Sequence, residues 1–411
     1  MILIKNIKTL LQVRPALNAT PLAGMEQSFL PLLENAFLLI EKERIADFGE
    51  MSRCPLRAEV EIDAFGRIVM PTWCDSHTHI VYAAAREEEF VQRIQGVSYE
   101  MIAAKGGGIL NSARRLQNMP EGELLAGAFK RVEEAQTLGT GAMEIKSGYG
   151  LTLESELKML RVIRRLKSLT DMTIKATFLG AHAIPLEYKQ RRNEYISLII
   201  NKMLPMIAAE NLADYIDVFC EKIAFSVSET ERILEAGVKY GLKPKIHTNQ
   251  FNSMGGIEAA VKYGAISVDH LEVLTEKEMV LLKNHKTIAT LLPTAPFFLN
   301  DANTPPARQL MNKSIPVALA TDCNPGTSPS VSMPFVWSLS CIRLRMTPEE
   351  GFNAATWNGA CAMEVQNDLG CIAKGKMANL ILTKPVPSFA YLPYSFGTNW
   401  IEKTILKGNI H

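Results

Sequence analysis

The chain has no two cysteines at Cys-x-x-Cys spacing, and its 7 cysteines (Cys54, Cys74, Cys220, Cys323, Cys341, Cys361 and Cys371) are an odd number. That excludes a zinc ribbon and a disulfide framework, and it suits a reducing, cytoplasmic setting. Neither sign of charge dominates: 44 Lys and Arg stand against 43 Asp and Glu, a net charge of +1. Nothing in that balance suggests nucleic acid or an anionic membrane as a partner. No run of 18 uncharged apolar residues occurs, so no membrane-spanning helix is expected. The opening MILIKNIKTLLQV is apolar, but Lys5 and Lys8 interrupt it and no small-residue cleavage site follows; it reads as a strand, not a signal peptide. The phosphate-binding pattern Gly-x-Gly-x-x-Gly is missing, which counts against a doubly wound nucleotide-binding sheet.

What is present is an ordinary globular composition over 411 residues, 47% hydrophobic and 21% charged. It fits one large domain of about 300 residues and one smaller. Residues 1–66 read as short strands and turns (MILIKNIKTLL, AFLLIEKERIADFGE, EIDAFGRIVM), and 371–411 resume that style. Both ends together therefore form a small β-sandwich domain. Residues 67–370 alternate strand and helix. Strands are expected over 68–78, 141–147, 174–181, 215–220, 244–248, 265–270, 287–292 and 316–321. Helices are expected over 98–117, 120–138, 153–168, 191–210, 228–240, 255–263, 275–284 and 347–364. Eight strands, each followed by a helix, is the count of a closed (β/α)8 barrel. GGGI at 106–109 reads as a turn. The Arg-Arg pairs at 114–115, 164–165 and 191–192 read as solvated helix faces.

Histidine is scarce, and its placement is the sharpest signal. His77 and His79 sit two apart in DSHTH, so on a strand both imidazoles point to one face. Strand three ends in FLGAH with His182, strand five in KIHTNQ with His247, strand six in SVDHLE with His270, and strand eight in LATDCNPGTS with Asp322. Five of the 7 histidines thus fall at strand ends, where such barrels carry their chemistry. His285 and His411 receive no role. His77, His79, His247 and Asp322 make a set of three imidazoles and one carboxylate, which suits zinc or iron. Such an ion makes hydroxide available near neutral pH.

His-x-His on strand one, single histidines on strands five and six and an aspartate on strand eight resemble the amidohydrolase superfamily. REEEF (86–90), GGGI, EIKSGYGL (144–151), FLGAH (178–182), DVFCE (217–221), GGIEAAVKYGAISVDHLE (255–272) and TDCNPGTSP (321–329) extend the likeness over nearly the whole chain. They are similar to the motifs of members that open an imidazolone ring during histidine degradation. The resemblance implies that water adds to 4-imidazolone-5-propanoate to give N-formimidoyl-L-glutamate, with one Zn2+ or Fe3+ ion held by His77, His79, His247 and Asp322. It further implies a homodimer. Arg86 matches a substrate-binding arginine whose guanidinium can grip a propanoate carboxylate; the bland reading is an ion pair with the adjacent glutamates. Tyr149, His182, Gln250, Asn324, Gly326 and Thr327 fall on substrate-binding positions. For Asn324 and Thr327 the alternative is turn formation around Pro325.

The chain departs from the family at two places. Thr72 and Trp73 stand where a glycine commonly follows the proline, which should alter packing and spare the metal. Gln250 stands where several relatives carry glutamate, and an amide cannot accept a proton as a base. Asp322 is then the better proton acceptor, with His270 orienting hydroxide or stabilising the oxyanion. Strand four ends in VFCEK, with Cys220 and Glu221 where two-metal members place a bridging lysine, so a single ion is expected. Two alternatives stand beside this reading: a purine or pyrimidine aminohydrolase, which would want an acid at position 250, and a non-enzymatic scaffold, which would be expected to lose metal ligands.

Overall fold

The computed structural model describes residues 1–14, 20–97, 101 and 107–411. Gly106 and most of the first part of the helix expected over 98–117 lie outside the described residues. The chain begins in a sheet of β1 (Ile2–Leu11), β2 (Leu32–Glu41), β3 (Arg44–Glu50), β4 (Val60–Asp63) and β5 (Ile68–Pro71). It then enters eight strands: β6 (Trp73–Thr78), β7 (Thr140–Lys146), β8 (Thr173–Ala181), β9 (Tyr215–Cys220), β10 (Lys243–Thr248), β11 (Ser267–His270), β12 (Ile288–Leu291) and β13 (Val317–Leu319). It returns to the first sheet with β14 (Leu380–Thr383), β15 (Ile401–Leu406) and β16 (Asn409–Ile410).

The eight middle strands pair in chain order, all parallel. The ring is closed by a parallel bridge between Thr78 and Cys323, in which His79 N donates to Cys323 O at 2.9 Å and Asp322 N to His77 O at 3.0 Å. The barrel expected from the alternation is therefore present, and its seam runs between the two strand ends that carry His77, His79 and Asp322. The terminal sheet has the order β16-β15-β14-β5-β1-β2-β3, with β4 also pairing β1. Ile4, Leu10, Leu38, Ile45, Leu380 and Ile405 from five of its strands meet in one core of their own.

One expected strand, 68–78, is two. The chain changes partners at Thr72, whose N–H goes to Asn379 O, while the next N–H, of Trp73, goes to Gly139 O. Trp73 then enters an aromatic cluster, with ring centroids 5.5 Å from Trp337, 5.5 Å from Phe352 and 6.4 Å from Trp400. Its indole donates to Leu138 O at 3.1 Å. The Thr-Trp departure is thus a packing device at the bottom of β6, well before the histidines.

Helices fall close to their expected ranges at Glu121–Thr137, Leu153–Leu169, Val227–Lys239, Gly256–Lys262 and Glu276–His285. Capping boxes, Ser226 with Glu229 and Thr275 with Glu278, start two of them. The helices expected over 191–210 and 347–364 are interrupted by π-helical turns at Ile199–Met203 and Ala354–Asn358. Helix Met333–Leu344 was not expected: Met333, Val336, Trp337, Leu339 and Leu344 are buried, so its sequence offers no polar-apolar contrast to read.

The inside of the barrel is unusual in what fills it. Branched aliphatics commonly pack such interiors. Here Glu144 and Lys146 of β7, Thr177 of β8, Asp217 of β9, Lys245 of β10 and Asp269 of β11 are all fully or almost fully buried. They form one bonded cluster beneath the strand ends.

Candidate active site

His77 and His79 project from the end of β6 to one side, as their spacing requires. His77 Nε2 lies 3.2 Å from His79 Nε2, and His247 Nε2 at the end of β10 lies 3.3 Å from the same atom. Asp322 Oδ1, just past β13, is 3.5 Å from His77 Nε2 and 3.6 Å from His79 Nε2. The four residues are buried.

The protons on these rings are assigned by their outer neighbours. His77 Nδ1 faces Asp269 Oδ2 at 2.6 Å, and His247 Nδ1 faces Asp217 Oδ2 at 2.8 Å. Carboxylates accept, so His77 Nδ1 carries hydrogen and its Nε2 presents a lone pair, and the close Asp217 carboxylate, though outside hydrogen-bond geometry, favours the same tautomer for His247. Two lone pairs, a third imidazole and a carboxylate oxygen then converge on one point. His79 could supply a proton to only one of them. A cation is the partner that satisfies such a set: His77, His79 and His247 form one group that fits a divalent metal ion, and Asp322 Oδ1 lies beside two of its nitrogens. Burial, then mutual repulsion with neighbouring positive groups, holds His77 and His79 well below the ordinary histidine range, which keeps them neutral as ligands.

Lys146 ties the outer carboxylates together. Its Nζ lies 2.8 Å from Asp217 Oδ2, 2.6 Å from Glu144 Oε1 and 3.6 Å from Asp269 Oδ2. Glu144 also binds Lys245 and accepts from Thr177 Oγ1 at 2.6 Å, and Ser267 Oγ donates to Asp269 Oδ1 at 2.7 Å. Burial opposes ionisation of Asp217, but His247 and Lys146 outweigh it and hold the carboxyl well below its usual range. None of Glu144, Lys146, Asp217 or Asp269 was anticipated from the sequence as part of the site.

His270, at the end of β11, has φ +89°, and Leu271 follows at +69°. Such backbone is costly for non-glycine residues and clusters at functional sites. His270 forms a second group with His77 and Asp322 whose nitrogen and oxygen atoms lie within 4.8 Å of one another. On its other side, His270 Nδ1 is 3.7 Å from Glu272 Oε1, an ion-pair distance rather than a hydrogen bond. Burial works against a charged imidazole here, but Glu272 and then Asp322 lift His270 to about 8. Burial raises Asp322 itself to about 6. Glu272 was also missed; both its oxygens are buried without a hydrogen bond among the described residues.

The expected substrate residues line one side of this centre. The Tyr149 ring lies 6.1 Å from His79 and 5.4 Å from His182. His182 stacks on His79 at 5.3 Å and 16°. Arg86 Cζ is 6.0 Å from the Tyr149 centroid. Arg86 Nε donates to Ser112 Oγ at 2.8 Å. It makes no ion pair with Glu87, Glu88 or Glu89 among the described residues, so the bland reading does not hold. A Cβ at Gly326 would come 2.6 Å from Arg86 Nη1, so the glycine makes room for the guanidinium.

The Asn324 side chain shapes the turn around Pro325: its Nδ2 donates to Asp322 O at 2.7 Å and Thr327 Oγ1 at 2.8 Å, and its Oδ1 accepts from the N–H groups of Gly326 and Thr327, both at 2.8 Å. Thr327 Oγ1 reaches Asp322 Oδ2 at 3.5 Å. Gln250, two residues past β10, is nearly buried, and its amide is bonded to none of the described residues. Glu221, at the end of β9, accepts from Phe251 N and Asn252 N and so shapes the loop carrying Gln250.

A model of the amidohydrolase family matches residues 68–411. The imidazolonepropionase of Christiangramia forsetii is 54% identical over 410 residues, covering 100% of this chain and 99% of that protein. That of Thermoanaerobacter pseudethanolicus is 39% identical over 404 residues, covering 98% and 96%. Among solved structures, Escherichia coli guanine deaminase is 16% identical with a TM-score of 0.74, covering 100% of this chain and 98% of that one, which speaks for the fold alone. No helix among the described residues is long and apolar enough to cross a membrane. The chain belongs to the amidohydrolase family and, within it, to the imidazolonepropionases.

Proposed function

We propose that this chain opens the ring of 4-imidazolone-5-propanoate by adding water, giving N-formimidoyl-L-glutamate, as a hydrolase of non-peptide carbon–nitrogen bonds in histidine degradation. The observation that carries this reading is the convergence of His77, His79, His247 and Asp322 beside Arg86, whose terminal nitrogens bond to none of the described residues.

His77, His79, His247 and Asp322 would hold a metal ion, which when bound would supply a more acidic water and a polarised carbonyl. The chain's own groups do the rest. Arg86 takes the propanoate carboxylate, which places the ring across Tyr149. His182 and Gln250 bond the polar edge of the ring, and Gly326 and Thr327 border the carboxylate end, with Asn324 holding their turn. Asp322 receives the proton of the attacking water and returns it to the ring nitrogen as the carbon–nitrogen bond to the carbonyl carbon breaks. His270, backed by Glu272, donates to the oxygen on which charge develops. The hydrolytic site excludes bulk water only partly, since Arg86 and His182 retain some exposure.

The ion is proposed to be a single Zn2+ or Fe3+, the protein a cytoplasmic homodimer, and the terminal domain (1–66 with 371–411, whose sheet also takes in β5) a scaffold for the catalytic barrel that fills the rest of 67–370. Purified protein incubated with freshly made imidazolone propanoate should yield a product heavier by one water, with one metal ion per chain by elemental analysis. Release of ammonia instead would favour an aminohydrolase, and no turnover with metal bound would favour a scaffold.

A further inference from the structure

Glu156 lies outside the metal site, in the first turn of helix Leu153–Leu169, and is completely buried. It makes no ion pair among the described residues. Its carboxylate instead accepts three backbone N–H groups: Gly148 N at 3.1 Å on Oε2, and Gly150 N at 2.8 Å and Leu151 N at 2.9 Å on Oε1. A buried carboxylate without a cation is costly: burial raises the Glu156 carboxyl above its usual range, while the Ser147 side chain and the three amides work against that rise.

The segment it holds is the loop that presents Tyr149. Gly148 has φ +107° and Leu151 φ +57°. A Cβ at Gly148 would come 2.8 Å from Leu179 O and 3.0 Å from His182 Nδ1. One at Gly150 would come 2.5 Å from Glu156 N and 2.8 Å from Glu156 Oε1. The two glycines are therefore the places where the loop seats directly on Glu156 and His182. From the far side, Gln117 Nε2 donates to Gly150 O at 2.8 Å. The Gly148 carbonyl, fixed by the same seating, faces His182 Nδ1 at 3.1 Å. A carbonyl only accepts, so Nδ1 carries the hydrogen and Nε2 is left as an acceptor.

We infer that Glu156 is a positioning residue for substrate binding: by clamping the amides of Gly148, Gly150 and Leu151 it sets where Tyr149 projects and, through the Gly148 carbonyl, which nitrogen of His182 accepts from a ring N–H of the substrate. This rests on reading Tyr149 and His182 as substrate contacts. It makes a carboxylate that never touches the substrate a determinant of affinity, with no part in the proton transfers.

The test is Glu156→Gln, which keeps the shape but puts an NH2 donor against backbone donors. Tyr149→Phe is measured beside it. Expected for Glu156→Gln is a KM raised about 10- to 100-fold with kcat close to that of the unsubstituted protein. Metal content should be unchanged, and hydrogen exchange at the amides of 148, 150 and 151 should be faster. If Tyr149→Phe raises KM and Glu156→Gln does not, the clamp is wrong. If Tyr149→Phe leaves KM unchanged, the Tyr149 contact lies in its ring and not its hydroxyl, and the clamp is then decided by amide exchange: acceleration supports it and parental protection overturns it. Should Glu156→Gln not fold, Glu156→Asp carries the same expectations, because the shortened carboxylate cannot reach all three amides.

Discussion

Asp269 Oδ2 sits 2.6 Å from His77 Nδ1, with neither side chain exposed. The contact fixes the ring, its tautomer and its donor strength together. Asp269→Asn retains an acceptor oxygen but loses the charge. Its affinity for metal, measured by competition with a chelator, should fall about 10- to 100-fold. His247→Ala, which removes a ligand outright, should abolish bound metal while the barrel stays folded by circular dichroism. Equal metal content in His247→Ala and the unsubstituted protein would refute the ligand set.

Arg86 is proposed to hold the propanoate. A charge-assisted hydrogen bond contributes about 1.5–3 kcal/mol, so Arg86→Ala should lower kcat/KM about 10- to 150-fold. Metal content should not change. An unaltered kcat/KM would leave Arg86 as a tether for Ser112 and nothing more.

Asp322 and Gln250 separate proton transfer from binding. Asp322→Asn should be nearly inactive even where some metal is retained, because an amide cannot take the proton of water. Gln250→Glu should remain active, and Gln250→Ala should lose activity while keeping the acidic limb of the pH–rate profile. Wild-type turnover by metal-loaded Asp322→Asn would shift the proton acceptor to His270.

In the metal-free protein the His270 contribution to stability should be lost as pH rises from about 6.5 to about 8, opposed near the lower end by His77, His79 and His182, which burial holds below the ordinary range. Glu272 and Asp322 outweigh burial and lift His270 to about 8, above its unfolded value, so the folded state keeps a proton that the unfolded chain has released. That gain is complete below the unfolded pKa and is gone above the folded one. A shift of this size corresponds to about 2 kcal/mol. Asp75, which burial raises to about 7, adds to the lower end of the window. Chemical denaturation across this range should show the slope in the metal-free protein and a flatter one in His270→Asn. An equal slope in both would place the titration elsewhere.

The convergence of His77, His79 and His247 was legible in the sequence because a two-residue spacing on a strand is a geometric statement, and because the apolar runs placed each histidine at a strand end. The cluster beneath them was not. Lys146, Asp217 and Asp269 lie on strands two, four and six, and reading them as partners requires knowing that the ring closes and which face turns inward. Glu156 is hidden for another reason: on a helix start it looks like an ordinary favourable acid, and its three amide partners come from a loop whose course follows from φ values that no spacing records. Asn324 is legible from its motif, but the four hydrogen bonds its side chain makes within the turn are not, because they depend on the course of the backbone from Asp322 to Thr327.

The strand β5 runs directly into β6, which carries the histidine pair, yet its neighbour on one side is β14, some three hundred residues later in the chain. During synthesis the first ligand strand is therefore made long before the sheet it hangs from can be completed. The apolar edge of β5 must wait for residues 380–383, and the seam at Thr78–Cys323 must wait for β13. Contacts of such long sequence separation are slow to form and leave strand edges open meanwhile. Folding of this chain is thus governed by its latest-made segments, and assembly of the metal site comes after most of the chain has emerged.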